Sequence, residues 1–150
     1  MRATGATCGL LLAGVLAGGC GKGGPTGPGP VTPAMLTGTW SGAVTESYGG
    51  RGRLHLAIEQ AQFALSGTFQ LEFENAARSR SGQISGNVDA PPLPQRMQLS
   101  SAVGFECAEG QSPQSFMQVS WTQSGDTLKG DYAGFGCVGT VTGTFEVKRE

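Results

Sequence analysis

Leu65-Ser66-Gly67-Thr68-Phe69 is a five-residue phrase of apolar, polar, Gly, polar and aromatic residues. It returns, with small variations, as Leu36-Thr37-Gly38-Thr39-Trp40, Ile84-Ser85-Gly86-Asn87-Val88, Leu128-Lys129-Gly130-Asp131-Tyr132 and Val141-Thr142-Gly143-Thr144-Phe145. Strand side chains alternate between two faces, so the first, third and fifth positions share one face and the polar residues take the other. A Gly on the inward face lets the strand bend sharply, and a neighbouring aromatic can cover the gap. Repeated bends in strands with one wet face predict a small closed barrel.

Working outward, period-two alternation divides the chain into eight strands at about 36–46, 53–60, 63–74, 82–88, 96–103, 115–123, 127–133 and 138–148. The third is the clearest, with Phe63, Leu65, Gly67, Phe69, Leu71 and Phe73 all in the inward phase. Tyr48 to Gly52 reads as a turn, Gln60-Ala61-Gln62 as a tight turn, Asn75 to Ser81 as a polar loop, and Ser124-Gly125-Asp126 as a hairpin. Asp89 to Pro94 breaks the pattern because Pro cannot donate to a ladder. The expected fold is an all-β, eight-stranded antiparallel up-and-down β-barrel, which leaves no exposed edge. A two-sheet β-sandwich is the alternative. Trp40, Phe69, Trp121, Tyr132 and Phe145 fall in the barrel interior, where side chains or one small ligand can be accommodated.

Strand order fixes the two ends. Loops after the odd strands share one end, so Cys107 and Cys137 meet there and are expected to form a disulfide. Tyr48, Arg51, Arg78 and Arg80 are assigned to the loops of the same mouth, as are Glu106 and Glu109, and the first four are candidate contacts for a ligand or partner. The chain enters and leaves at the opposite end.

Charged residues are 14% of the chain, well under the usual quarter, and the net charge is −1. With no basic excess, nucleic acid is not an indicated partner. Met1-Arg2 and an apolar run from Gly9 to Gly19 fit a secretory signal and are too short for a membrane span. Leu16-Ala17-Gly18-Gly19-Cys20 resembles the lipobox of bacterial lipoproteins. That resemblance implies a signal peptide over 1–19, lipid attachment at Cys20 and, with Gly21 following, export to the outer membrane. The other reading is an ordinary secretory signal that leaves Cys20 free. Residues 20–34 are Gly- and Pro-rich and form a tether, and 35–150 form the barrel domain.

A search for chemistry finds little. His55, the single histidine, alternates onto the outer face, and no Ser or Cys stands in a nucleophile motif beside it. Glu72 and Glu74 turn outward as a solvated pair rather than flanking a cleft. The cysteines lack metal-site spacing, and the glycines form no phosphate loop. No metal, cofactor or catalytic residue is expected, and an enzyme resting on Glu46, His55 or Glu106 is the least favoured reading.

Gly38-Thr39-Trp40, and Val119-Ser120-Trp121 followed by Leu128 to Tyr132, resemble strands of the avidin- and lipocalin-type barrels, whose first strand carries Gly-x-Trp at the closed end. The resemblance implies the architecture. Biotin binding and a tetramer are not carried over, because Ser41-Gly42-Ala43 follows the first Trp without the Asn of avidins. The expectation is a membrane-anchored envelope lipoprotein that binds a small apolar or amphipathic ligand at its mouth. The alternative is a protein-interaction module, such as an enzyme-inhibitor barrel of the envelope.

Overall fold

A computed structural model describes residues 35–89, 95–101, 107–112 and 114–150. The lipobox, Cys20, the tether, Val103 and Glu106 lie outside the described residues. The chain forms eight antiparallel strands: β1 (Gly38–Glu46), β2 (Gly50–Ala61), β3 (Ala64–Phe73), β4 (Arg80–Asn87), β5 (Gln95–Ser101), β6 (Ser115–Ser124), β7 (Thr127–Gly136) and β8 (Gly139–Arg149). Each pairs with the next, and β8 pairs with β1, so the sheet is a closed up-and-down barrel. Hydrogen bonds in both directions between Ser47 and Thr142 extend that final seam into the turn.

Register sets the barrel's girth. From Gly38 the paired residues run through Ile58, Gly67, Ile84, Leu99, Met117, Gly134 and Val141. Val141 stands two residues beyond the Gly143–Glu46 pair, level with Tyr48, so one circuit shifts the register by ten residues. With a rise of about 3.3 Å per residue and about 4.8 Å between strands, that shift tilts the strands by about 40° and gives a radius of about 8 Å. Side chains alone can fill a cylinder of this width.

They do so here. Trp40, Phe69, Trp121, Tyr132 and Phe145 are all buried, with a continuous shell of Leu, Ile, Val and Met around them. The void enclosed by Leu54, Leu56, Leu71, Met97, Leu99, Val119, Tyr132 and Phe145 has a volume of about 10 Å³. That is no more than one water would need, and its lining is apolar apart from one phenol.

The repeated glycines are the points of close approach. A methyl on Gly67 would lie 2.0 Å from the Ala57 carbonyl oxygen, and one on Gly130 would lie 2.1 Å from that of Ser120. Aromatic rings from neighbouring strands cover several of these gaps: Phe145 lies over Gly130, Tyr132 over Gly143, and Phe69 over Gly82. The pentad therefore encodes both the bend and the ring that seals it.

Several boundaries differ from the sequence expectation, among them the end of β7, which runs to Gly136 rather than 133 and so makes Phe135 a strand residue. The β2–β3 turn is Gln62-Phe63, with Gln62 in the left-handed region at φ +57°, so Phe63 leaves the strand phase and is 47% exposed. β2 begins at Gly50, which makes Arg51 a strand residue on the outer wall rather than a loop residue. β4 begins at Arg80, in phase with the buried Ile84, and this carries the arginine inside the barrel.

Candidate functional site

The loops after β1, β3, β5 and β7 share one end, and Cys107 and Cys137 join two of them with Cα atoms 5.6 Å apart. Of the four residues assigned to this mouth, Tyr48 and Arg78 come together at the rim. The Arg78 guanidinium sits 5.0 Å from the Tyr48 ring centroid and donates to the Tyr48 carbonyl at 2.7 Å. Both are half-buried, so the contact pins the β1–β2 turn to the 3-10 turn at Ala76–Arg78. Arg51 stands apart on the outer wall, exposed.

Arg80 is not at the mouth surface: its side chain is fully buried, as is that of Glu46. The two pair directly, with Arg80 Nη2 donating to Glu46 Oε2. Glu46 Oε2 also accepts from the Tyr132 hydroxyl at 2.6 Å, while Oε1 accepts from the Gly49 amide at 3.1 Å. Arg80 further donates to the Arg78 carbonyl at 3.3 Å and lies 3.7 Å from the Met117 sulfur. A buried ion pair is tolerable only when such bonds satisfy it. Burial, and next the Glu46 carboxylate, raise the pKa of the Tyr132 phenol, so it stays protonated and remains the donor.

Phe73 closes this polar layer from above. Its ring centroid is 5.7 Å from the Arg80 guanidinium, and Gly49 and Gly52 leave the space it occupies. From rim to core the order is Tyr48 with Arg78, then Phe73, then Arg80 with Glu46 and Tyr132, then hydrocarbon. The mouth is thus filled by the chain's own side chains. Glu46, shut away from solvent and fully hydrogen-bonded, has no access to a substrate. The sequence carried a signal for this layer: Trp40, Gly42, Val44 and Glu46 share one phase, and Arg80, Gly82 and Ile84 share another, so both charges alternate inward.

The opposite end is sealed by Leu36 and Trp40, both fully buried. The Trp40 indole donates to the Leu36 carbonyl at 2.9 Å, and Arg149 lies over its ring at 4.2 Å. Arg149 also donates to the carbonyls of Thr37 and Met35 and to Asp126. The last strand therefore clasps the segment by which the chain enters.

Neither a scan against protein-family models nor a search of the curated proteins returns a match.

The outer wall carries the remaining exposed side chains of the described strands. His55 is there, 3.9 Å from the exposed Glu72 and opposite Ser41 in the β1–β2 register; no hydrogen bond links the serine to the imidazole. Among the described residues no three His, Cys, Asp or Glu side chains converge as metal ligands. The feature that sequence reasoning missed is a pair of outward rings. Phe116 and Phe135 are directly opposite in the β6–β7 register and are 45% and 68% exposed. They belong to a groove of about 560 Å³ with Gln98, Gln118, Ala133, Gly134 and Thr140, next to the disulfide end. Phe116 stands between the inward Ser115 and Met117, so alternation alone places it outward. Phe135 lies beyond residue 133, where the sequence pattern ends this strand, and takes the outward phase because β7 continues to Gly136.

Proposed function

We propose that the chain is a membrane-anchored lipoprotein of the bacterial cell envelope, and that its barrel is a non-catalytic binding module meeting its partner on the outer wall. Support for the anchor comes from the lipobox-like run before Cys20 and the Gly- and Pro-rich tether after it. Fully extended at about 3.1 Å per residue, residues 21–34 reach roughly 40 Å. Support for a binding module comes from one observation above all: the interior is full. A void of about 10 Å³ weighs against a carrier of apolar molecules, and the exposed His55–Glu72 contact stands on the convex outer wall rather than in a cleft that would hold a substrate. Exposed apolar surface rimmed by polar groups marks interaction sites, and Phe116 with Phe135 is such a surface. It lies toward the end opposite the tether, where it would face away from the membrane.

The test has two parts. Metabolic labelling with an alkyne fatty acid should tag the wild-type protein, and Cys20→Ala should abolish both label and membrane retention. Crosslinking in intact cells from the outer wall, through a photoreactive residue at position 118, should give an adduct. The same residue at position 70, on a distant part of the wall, should not. An unlabelled chain, or equal crosslinking from both positions, would contradict the proposal.

A further inference from the structure

The geometry points to a neutral glycan as the partner of the outer-wall groove, with Phe116 and Phe135 stacking on sugar rings and Gln98 and Gln118 reading their hydroxyls. This deepens the binding-module reading above and rests on it.

The backbone that carries the rings is tightly packed. A methyl on Gly134 would meet the Phe116 carbonyl oxygen at 2.1 Å, so β7 is pressed tightly onto β6 where the two phenylalanines oppose each other. Both rings project from paired backbone rather than from a loop.

The frame is polar yet carries no charge. Gln98 and Gln118 face each other across β5 and β6, both exposed. Thr140 is the register partner of Phe135, and Ala133, the partner of Gln118, is small enough to leave the floor open. Arg96 and Asp131 are the register partners of Ser120, one row further toward the tethered end. A primary amide donates and accepts at once, which matches a pair of neighbouring sugar hydroxyls. The carbon–hydrogen face of a pyranose packs against an aromatic ring.

Size and charge weigh against other occupants. Seven residues line the groove, and its two rings offer roughly 200–250 Å². A standard protein interface draws on about 20–30 residues and about 800 Å² from each side. An anionic membrane or nucleic acid would call for Lys or Arg in the groove, and none lines it. An uncharged oligosaccharide of a few units fits both the footprint and the lack of charge.

The experiment titrates full-length, isotope-labelled protein with neutral β-1,4-linked glucose and N-acetylglucosamine oligomers, in a detergent without a sugar headgroup. Amide shifts should cluster at Gln98, Phe116, Gln118, Ala133 and Phe135. Affinity should be unchanged between low and molar salt, and should fall about tenfold in Phe116→Ala/Phe135→Ala. Gln98→Ala/Gln118→Ala should weaken it separately, with the barrel spectrum intact in both. The glycan assignment falls if no oligomer shifts these amides at millimolar concentration, or if the ring-free variant binds equally. It also falls if anionic phospholipid vesicles or a protein shift the same residues when the sugars do not, although the outer-wall reading then survives. Shifts confined to core residues such as Leu99 and Val119 would overturn both.

Discussion

Tyr132 donates to Glu46 at 2.6 Å across a glycine: Gly143 is the register partner of both, so the phenol and the carboxylate meet over the position without a side chain. The pentad that bends β8 thus also makes room for the polar layer closing the mouth. A methyl at Gly143 would lie 2.3 Å from the Tyr132 ring.

The buried pair should respond asymmetrically to mutation. Arg80→Met leaves the Glu46 charge without its cation and should cost about 3–5 kcal/mol, whereas Glu46→Gln/Arg80→Met should recover much of the loss. Urea unfolding of the two single variants and the double variant measures the coupling. Additive losses would show that the pair does not act as a unit.

Alkaline stability should report on Tyr132. The folded protein holds the phenolic proton more tightly than the unfolded chain, whose tyrosines ionise near pH 10. Below that pH both states keep the proton and the residue adds no pH dependence. Above it only the unfolded state loses the proton, so stability should fall by up to about 1.4 kcal/mol per pH unit. Tyr132→Phe should flatten this slope while lowering stability near neutrality through the lost hydrogen bond. The check is chemical denaturation at a series of pH values above 9 in wild type and variant. An unchanged slope would refute the assignment.

At the end closed by Leu36 and Trp40, Arg149→Ala removes the cation over Trp40 and the donors to the Met35 and Thr37 carbonyls. Stability should fall by about 1–2 kcal/mol. Hydrogen exchange should quicken at the Leu36 amide, which donates to Gln60 Oε1 at 2.8 Å. Arg149→Lys should not restore protection, because a single ammonium cannot stack on the ring and span two carbonyls together.

Gly67 and Gly125 separate two uses of glycine. Gly67 has φ +149° and its missing methyl would strike the Ala57 carbonyl, whereas Gly125 has φ +57° and open space around it. Gly67→Ala should therefore prevent folding or cost more than about 3 kcal/mol, while Gly125→Ala should cost about 1–2 kcal/mol. Thermal melts of both variants decide. Equal losses would mean that closure does not depend on the pentad glycine.

The strand order was legible because the wet and dry faces of each strand are so cleanly partitioned. Leu65, Gly67, Phe69, Leu71 and Phe73 fix one strand almost unaided. At a few positions a residue's chemistry and its phase point in opposite directions. Arg80 looked like a loop residue because it is charged and flanked by serines, yet two positions on Gly82 continues its phase into Ile84. Phe63 looked like core because it is aromatic, yet the tight turn at Gln62 takes it out of the alternation. Phe116 is legible as an outward apolar residue from the phase of Ser115 and Met117, whereas Phe135 follows Gly134, a residue without a side chain to mark the phase, beyond the expected end of its strand. The register is not visible in any one strand. It emerges only on closure, where the ten-residue shift sets the width and hence whether the interior fills.

The account turns on that filled interior. Native mass spectrometry of the purified protein after incubation with excess long-chain fatty acid tests it most directly. The predicted result is unliganded protein at every ratio, with no stoichiometric adduct beyond any acyl chains that the proposed lipidation of Cys20 would add. A saturable one-to-one complex, lost when Leu99 or Val119 is enlarged to Trp, would contradict the filled barrel and return the binding site to its interior.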